Sequence, residues 1–331
     1  MPTERCLHPS RRPTRRHAFR DWGCRHACLV ALLILGAGVT ADAQQVADTT
    51  YSPPIDDPEY KPGRGPTVAI DAAHVNFHTA DDRYAPLAKL LTRDGYKVES
   101  NDQQFTASTL SRFDILVIAN AMHEQSADGF APLPSLSAFT GAEIAALEAW
   151  VREGGSLLLI ADHMPLAGHA EALAAAFGIR FQNGFALDAA GHGRITFRRS
   201  EGTLPSSSIA NGRRATQQVD SVVTFTGQAF QVDPDVDVTP LLVVPEGYAL
   251  LLPEVAWEFS ESTPRIAAVH LLQGVAVRHG RGRIAAFGEA AMFTAQLAGP
   301  QRLPMGMNEP AAGQNYLFTL NLFHWLSGIV D

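Results

Sequence analysis

The sequence predicts a doubly wound, mostly parallel α/β sheet with a β-rich insertion before the last strand and helix. Three observations predict it. From Thr67 onward, apolar runs of strand length alternate with amphipathic helical patterns, the rhythm of a parallel sheet. Three of those runs stop abruptly on acids and histidines: Val68–Ile70 before Asp71, His74, Asn76 and His78; Leu157–Ala161 before Asp162 and His163; and Ile284–Phe287 before Glu289. The rhythm then breaks between about 180 and 280, where short β-type runs separated by Gly, Pro and Asn take over, and returns at the C-terminus.

Each element has its own warrant. Residues 67–73 read as the first strand. A helix over 84–94 follows, with Asp82 as its N-cap and Leu87, Leu90 and Leu91 on one face. After a short strand at 96–100, the run Asp114–Ala119 is continuously apolar after its first residue, as in a strand covered on both faces. Thr140 and Glu143 form a capping box, in which each side chain satisfies a free amide at the helix start. That helix turns Ile144, Leu147 and Val151 inward and stops at Gly154-Gly155. A strand at 156–161 and an alanine-rich helix at 170–177 come next. The insertion's β-type runs are 195–197, 220–225, 239–244 and 265–270. A strand at 283–287 and a helix at 315–327, striped with Leu317, Leu320, Phe323 and Leu326, close the fold.

Two segments precede it. Residues 1–43 carry a basic stretch, a 13-residue apolar run from Ala27 to Val39 and the small-x-small signal Ala41-Asp42-Ala43. That is the layout of a secretory signal peptide, since about 20 apolar residues are needed to span a bilayer. The expectation is an exported protein, periplasmic or secreted, with no stable membrane span after cleavage. Residues 44–66, rich in Pro and Asp, read as a linker. The single remaining domain is 67–331. All three cysteines, Cys6, Cys24 and Cys28, fall in the leader, so cleavage leaves neither a disulfide nor a thiol nucleophile. Loss of seven arginines and three acids with the leader moves the net charge from −8 to −12, which argues against nucleic acid as a partner.

The order of strand with Asp and His, helix, Phe113-Asp-Ile-Leu-Val-Ile strand, capped helix, Gly154-Gly-Ser-Leu-Leu-Leu-Ile strand and small-residue helix resembles the class I glutamine amidotransferase-like superfamily, a flavodoxin-like arrangement. Within it, the chain is similar to exported domains of unknown function. Gly282-Arg-Ile-Ala-Ala-Phe-Gly288-Glu289 and Asn315–Leu326 also fit, so the resemblance covers roughly 67–190 and 280–328. True amidotransferases place a cysteine on the turn after the strand that ends here at Ala161. This chain has Asp162-His163 there, so the resemblance implies the scaffold without the amidotransferase reaction.

In an open α/β sheet the strand ends line one crevice, so the three clusters are expected to converge there. One option is ligand binding without catalysis: a small polar ligand, with a carbohydrate as the leading class, held by Asp71, His74, Asn76, His78, His123 and His169. A second is acid–base hydrolysis with His163 as base, oriented by Asp162, Asp71 or Glu289. A third is a divalent metal, zinc or manganese, on Asp71, His74, His78 and His163, although their spacing matches no sharp motif. A purely structural role, with the acids capping loops and the histidines hydrogen-bonded around them, is the remaining alternative. Asn315 reads as a helix N-cap. Gly280-Arg-Gly282-Arg precedes a strand, so it reads as a turn and not as a dinucleotide fingerprint.

Overall fold

A computed structural model describes residues 45–127 and 132–331; the leader expected over 1–43 lies outside the described residues. The architecture is mixed α/β around a seven-stranded sheet. Its elements are β1 (Thr67–Asp71), α1 (Ala85–Arg93), β2 (Lys97–Asn101), β3 (Ile115–Ala119), α2 (Gly141–Arg152), β4 (Ser156–Ile160), α3 (Leu166–Ala175), β5 (Val238–Val243), β6 (Leu272–His279), β7 (Gly282–Phe287) and α4 (Asn315–Leu326). The order across the sheet is β5-β6-β7-β4-β3-β1-β2. The five strands from β7 to β2 are parallel, and β6 and β5 add an antiparallel edge.

Period-two alternation sorts the strand side chains onto two apolar layers. Val68 and Ile70, Val117, Leu158 and Phe287 face a cluster that includes Leu87 and Leu91 of α1 and Phe318 and Leu322 of α4. Ala69, Leu116 and Ile118, Leu157 and Leu159 face a second cluster with Leu147 and Val151 of α2 and Leu173 of α3. Each such side chain, fully buried, contributes roughly 1.5–3 kcal/mol. All five residues of β3 and of β4 are buried, which explains why those runs carry no polar alternation. The Thr140–Glu143 capping box forms, with Thr140 Oγ1 accepting from the Glu143 amide and Glu143 Oε2 accepting from the Thr140 amide at 3.0 Å.

Several expectations are corrected. Asp82 does not cap α1: its carboxylate pairs with Arg83, and the N-cap is Tyr84, followed by Pro86 in the first turn. Asn315 is the first residue of α4 and not its cap. Its side-chain oxygen accepts from the Val223 amide at 3.0 Å and its amide donates to the Val223 carbonyl at 2.7 Å, so it clamps the insertion to the helix. The β-rich region is not wholly an elaboration beside the sheet, because β5 and β6 belong to it. The rest forms small separate sheets, Phe185–Asp188 with Tyr248–Leu251 and Arg265–Ala267, Ile195–Arg198 with Ser221–Thr224, and Gln231–Val232 with Ile179–Arg180. Residues 45–66 lie extended against the domain: Val46–Ala47 pairs with Gln296–Leu297, and Tyr51 and Ile55 pack beside Leu90 and Leu320. No helix among the described residues is long and apolar enough to cross a membrane.

Candidate functional site

Four neighbouring parallel strands send residues into one cavity of about 660 Å³ at the carboxyl edge of the sheet. The loop after β1 supplies His78, β3 runs into Asn120, β4 into Asp162 and His163, and β7 into Glu289. The insertion closes the other side with Phe225, Thr226 and Trp257. A β-carbon on Gly227 would lie 2.1 Å from the Gly288 carbonyl oxygen; glycine there lets Gln228 donate its backbone N–H to that carbonyl at 2.9 Å and brings Phe225 and Thr226 to the cavity.

Asn120 organises the polar wall. Its backbone sits at φ +50°, a left-handed geometry that Asn tolerates better than most residues. In that pose its amide donates to the Ile160 carbonyl and its carbonyl accepts from Phe77, both at 2.9 Å. Its side-chain oxygen accepts the Asp162 amide hydrogen at 2.9 Å, so its nitrogen is the atom that donates to His78 Nδ1 at 3.1 Å. His78 therefore carries its proton on Nε2, which lies 3.4 Å from the Gln296 side-chain nitrogen, so two donors face each other. That N–H requires an acceptor, which orients Gln296 with its oxygen toward His78 and its NH₂ group turned away. Burial and the nearby Arg83 charge push the His78 pKa down to about 3, so the ring is neutral.

Asp162 and Glu289 are both buried, Glu289 the more deeply. Asp162 Oδ1 accepts from the His163 amide at 2.9 Å, and the Glu289 oxygens accept from Ala291 at 2.8 Å and Met292 at 2.9 Å. Burial raises the pKa of both, and the negative charge of Asp162 raises Glu289 further. Ionisation of one therefore disfavours ionisation of the other. His163 is held differently from the expectation. Its Nδ1–H donates to the Met164 carbonyl at 2.7 Å, and its ring stacks on Phe185 at 4.7 Å and meets Trp257 edge-on at 4.7 Å. No hydrogen bond joins that ring to Asp162, Asp71 or Glu289.

The remaining candidates lie elsewhere. His74 is clamped between Asp71 Oδ2 at 2.8 Å and Glu143 Oε1 at 3.0 Å, and it packs on Phe105 and Phe139. It borders a second cavity of about 450 Å³, together with His123 and Glu143. Asp71 is buried beneath it. Asn76 accepts the His74 amide hydrogen at 3.0 Å, and His123 Nδ1 caps the single turn Glu124–Ser126 by accepting from Gln125 at 3.2 Å. His169, in the first turn of α3, donates from Nδ1 to the Leu136 carbonyl at 2.7 Å; burial lowers its pKa, and it lines neither cavity. Asp71 and His74 are thus separated from His78 and His163. Among the described residues no three His, Cys, Asp or Glu side chains come together as a metal donor set.

Four contributors to the cavity carried little sequence signal. Asn120 follows an apolar strand just as Asp71 and Asp162 do, and the same rule extended to β3 finds it. Ser126, Trp257 and Gln296 come from a short turn, a loop and an edge hairpin, which no periodicity marks.

No protein-family model matches this sequence, and no curated protein matches it. Among solved structures, the N-terminal domain of mmIFT52 is similar in fold, at a TM-score of 0.52 and 14% identity, over 78% of this chain and 97% of that one. A ThuA-like protein from Bacteroides uniformis aligns with a TM-score of 0.41 at 13% identity, over 82% of this chain and 95% of that one. Another, from Parabacteroides merdae, aligns at 0.39 and 11% identity over 80% and 90%. At these identities the likeness to mmIFT52 concerns the fold alone.

Proposed function

We propose that this chain is an exported, amidotransferase-like α/β domain without amidotransferase activity, and that it binds a small polar ligand, a carbohydrate as the leading class, in the cavity at the carboxyl edge of the sheet. In chain order the parallel strands run 2-1-3-4-5, the flavodoxin-like order, with helices packed on both faces. The turn after β4, where an amidotransferase keeps its cysteine, holds Asp162-His163. The basic stretch and 13-residue apolar run of the leader support export.

One observation carries the binding reading: a single cavity has a polar wall from four strand ends facing an aromatic wall from the insertion. Sugars present this combination of hydroxyls on an apolar ring face, and ligand sites of this size are commonly built so. Thermal-shift and calorimetric titration against a sugar panel tests it; no response from any sugar overturns it.

The second reading is acid–base hydrolysis at the same place. It is favoured by the buried Asp162–Glu289 pair, because two carboxyls whose titrations are forced apart can supply one acid and one base. Hydrolysis of chromogenic glycosides by the wild type, abolished in Asp162→Asn without loss of folding, is the result that establishes this reading; absence of turnover with every glycoside bound rejects it.

A further inference from the structure

We infer that the cavity selects a ligand bearing a protonated primary amine beside hydroxyl groups, an amino sugar in its simplest form, with the ammonium seated at Asp162 and Glu289. This rests on the binding reading above and deepens it. The two carboxyls are enclosed, yet what holds them is backbone amides, the Asn120 side chain and the neighbouring His163. Glu254 adds a third acid to the lining, while no lysine or arginine among the described residues lines the cavity. The nearby Arg83 is engaged by Asp82 and stacked on the Phe77 ring, 3.8 Å from its centroid. A buried carboxyl without a countercharge tends to keep its proton, and a cationic group on the ligand supplies the partner that lets it ionise.

A second, independent observation points to the same ligand. Gln296 is 0% exposed and Ser126 3%, both line this cavity, and each keeps a side-chain polar atom with no partner among the described residues. The unpartnered Gln296 atom is Oε1; turning that amide to give the His78 N–H its acceptor puts an NH₂ donor there instead, and the Ser126 hydroxyl can donate or accept. Buried polar atoms of this kind are normally satisfied. A hydroxyl oxygen beside the ammonium answers them, which an amine without hydroxyls cannot do. Trp257, 58% exposed and held at φ +69°, offers a face for the ligand's apolar side and a cation–π contact for its charge. An anion is excluded by the three acids.

The test is calorimetric titration of the purified protein with glucosamine, galactosamine and mannosamine, each beside its parent neutral sugar and its N-acetyl form. At least one amine should bind ~10-fold or more tightly than both of its uncharged counterparts. Asp162→Asn, which retains an oxygen for the His163 amide, should erase that preference. Neutral sugars binding as well as the amines overturn this inference and leave the carbohydrate reading standing. If none of the nine compounds binds, both fall. The wild-type comparison decides between these results even if the variant does not fold.

Discussion

His74 Nε2 lies 3.0 Å from Glu143 Oε1, joining the loop after β1 to the capping box of α2 across 69 residues of chain. Since Nδ1 is held by Asp71 at 2.8 Å, the imidazole is bound at both nitrogens by carboxylates. This is a fastening, with no ring nitrogen free for a ligand.

The fastening has a pH signature. Burial acts to lower the His74 pKa, but the bonds and charges of Asp71 and Glu143 outweigh it, and the net shift is upward. A histidine raised by folding contributes stability that is complete below its unfolded value near 6.5 and fades as pH rises through the folded value. Glu143 moves oppositely: despite burial, bonds from Thr140 and His74 hold it below its ordinary 4.5, and its contribution fades as pH falls through the lowered value. His74→Gln should therefore cost most near pH 5–6, about 3–5 kcal/mol as for a broken buried pair. Thermal melts of both proteins from pH 5 to 9 check this; a constant gap across the range rejects it.

His78 has the reverse sign. Its folded pKa of about 3 means that below pH ~6.5 the unfolded chain binds a proton that the folded protein refuses. Stability falls as pH drops through that window. His78→Gln should make the acid limb shallower by up to about 1.4 kcal/mol per pH unit. Urea denaturation between pH 4 and 7 measures the slope, and identical slopes defeat the prediction.

Asn120 combines a left-handed backbone with two side-chain bonds. Asn120→Ala should cost about 2–3 kcal/mol, from roughly 1 kcal/mol per lost bond plus the strain of placing alanine at positive φ. Asn120→Gly removes the strain and keeps the bond loss, so it should fold about 1 kcal/mol more stably than the alanine variant. Chemical denaturation of the pair separates the two contributions; equal stabilities show that the backbone angle carries no strain.

Trp257 is a bulky residue at φ +69°, a conformation usually left to glycine. Trp257→Gly relieves roughly 1 kcal/mol of backbone strain while losing ring contacts of similar size with Phe185 and His163. Its unfolding free energy should stay within ~1 kcal/mol of wild type, whereas affinity for a bound sugar should fall about 10-fold. Retained affinity means the ring is no part of the site.

The α/β class and most elements were legible because they rest on local signals. The Thr140–Glu143 capping box, the unbroken apolar runs of β3 and β4 and the Leu87–Leu91 face of α1 each follow from neighbours within one or two turns. Asp162 and Glu289 were found by the same strand-end logic. The separation of Asp71 and His74 from the main cavity was not legible: it depends on Glu143, whose position on α2 is fixed only when that helix packs on the sheet. Nor did the sequence reveal that Leu272–His279 joins the central sheet, because a long apolar strand pairs through its backbone and names no partner.

The sequence by itself determined which segments become strands and helices and which strand ends carry ionisable groups, since periodicity, caps and turn residues act over a few residues. Tertiary structure alone decided how those groups are used. It set Asp162 and Glu289 in one cavity, locked His74 between two acids, and brought Trp257, Ser126 and Gln296 to the same cavity as the carboxyls, because burial, charge and cavity shape depend on segments that meet only once the chain has folded.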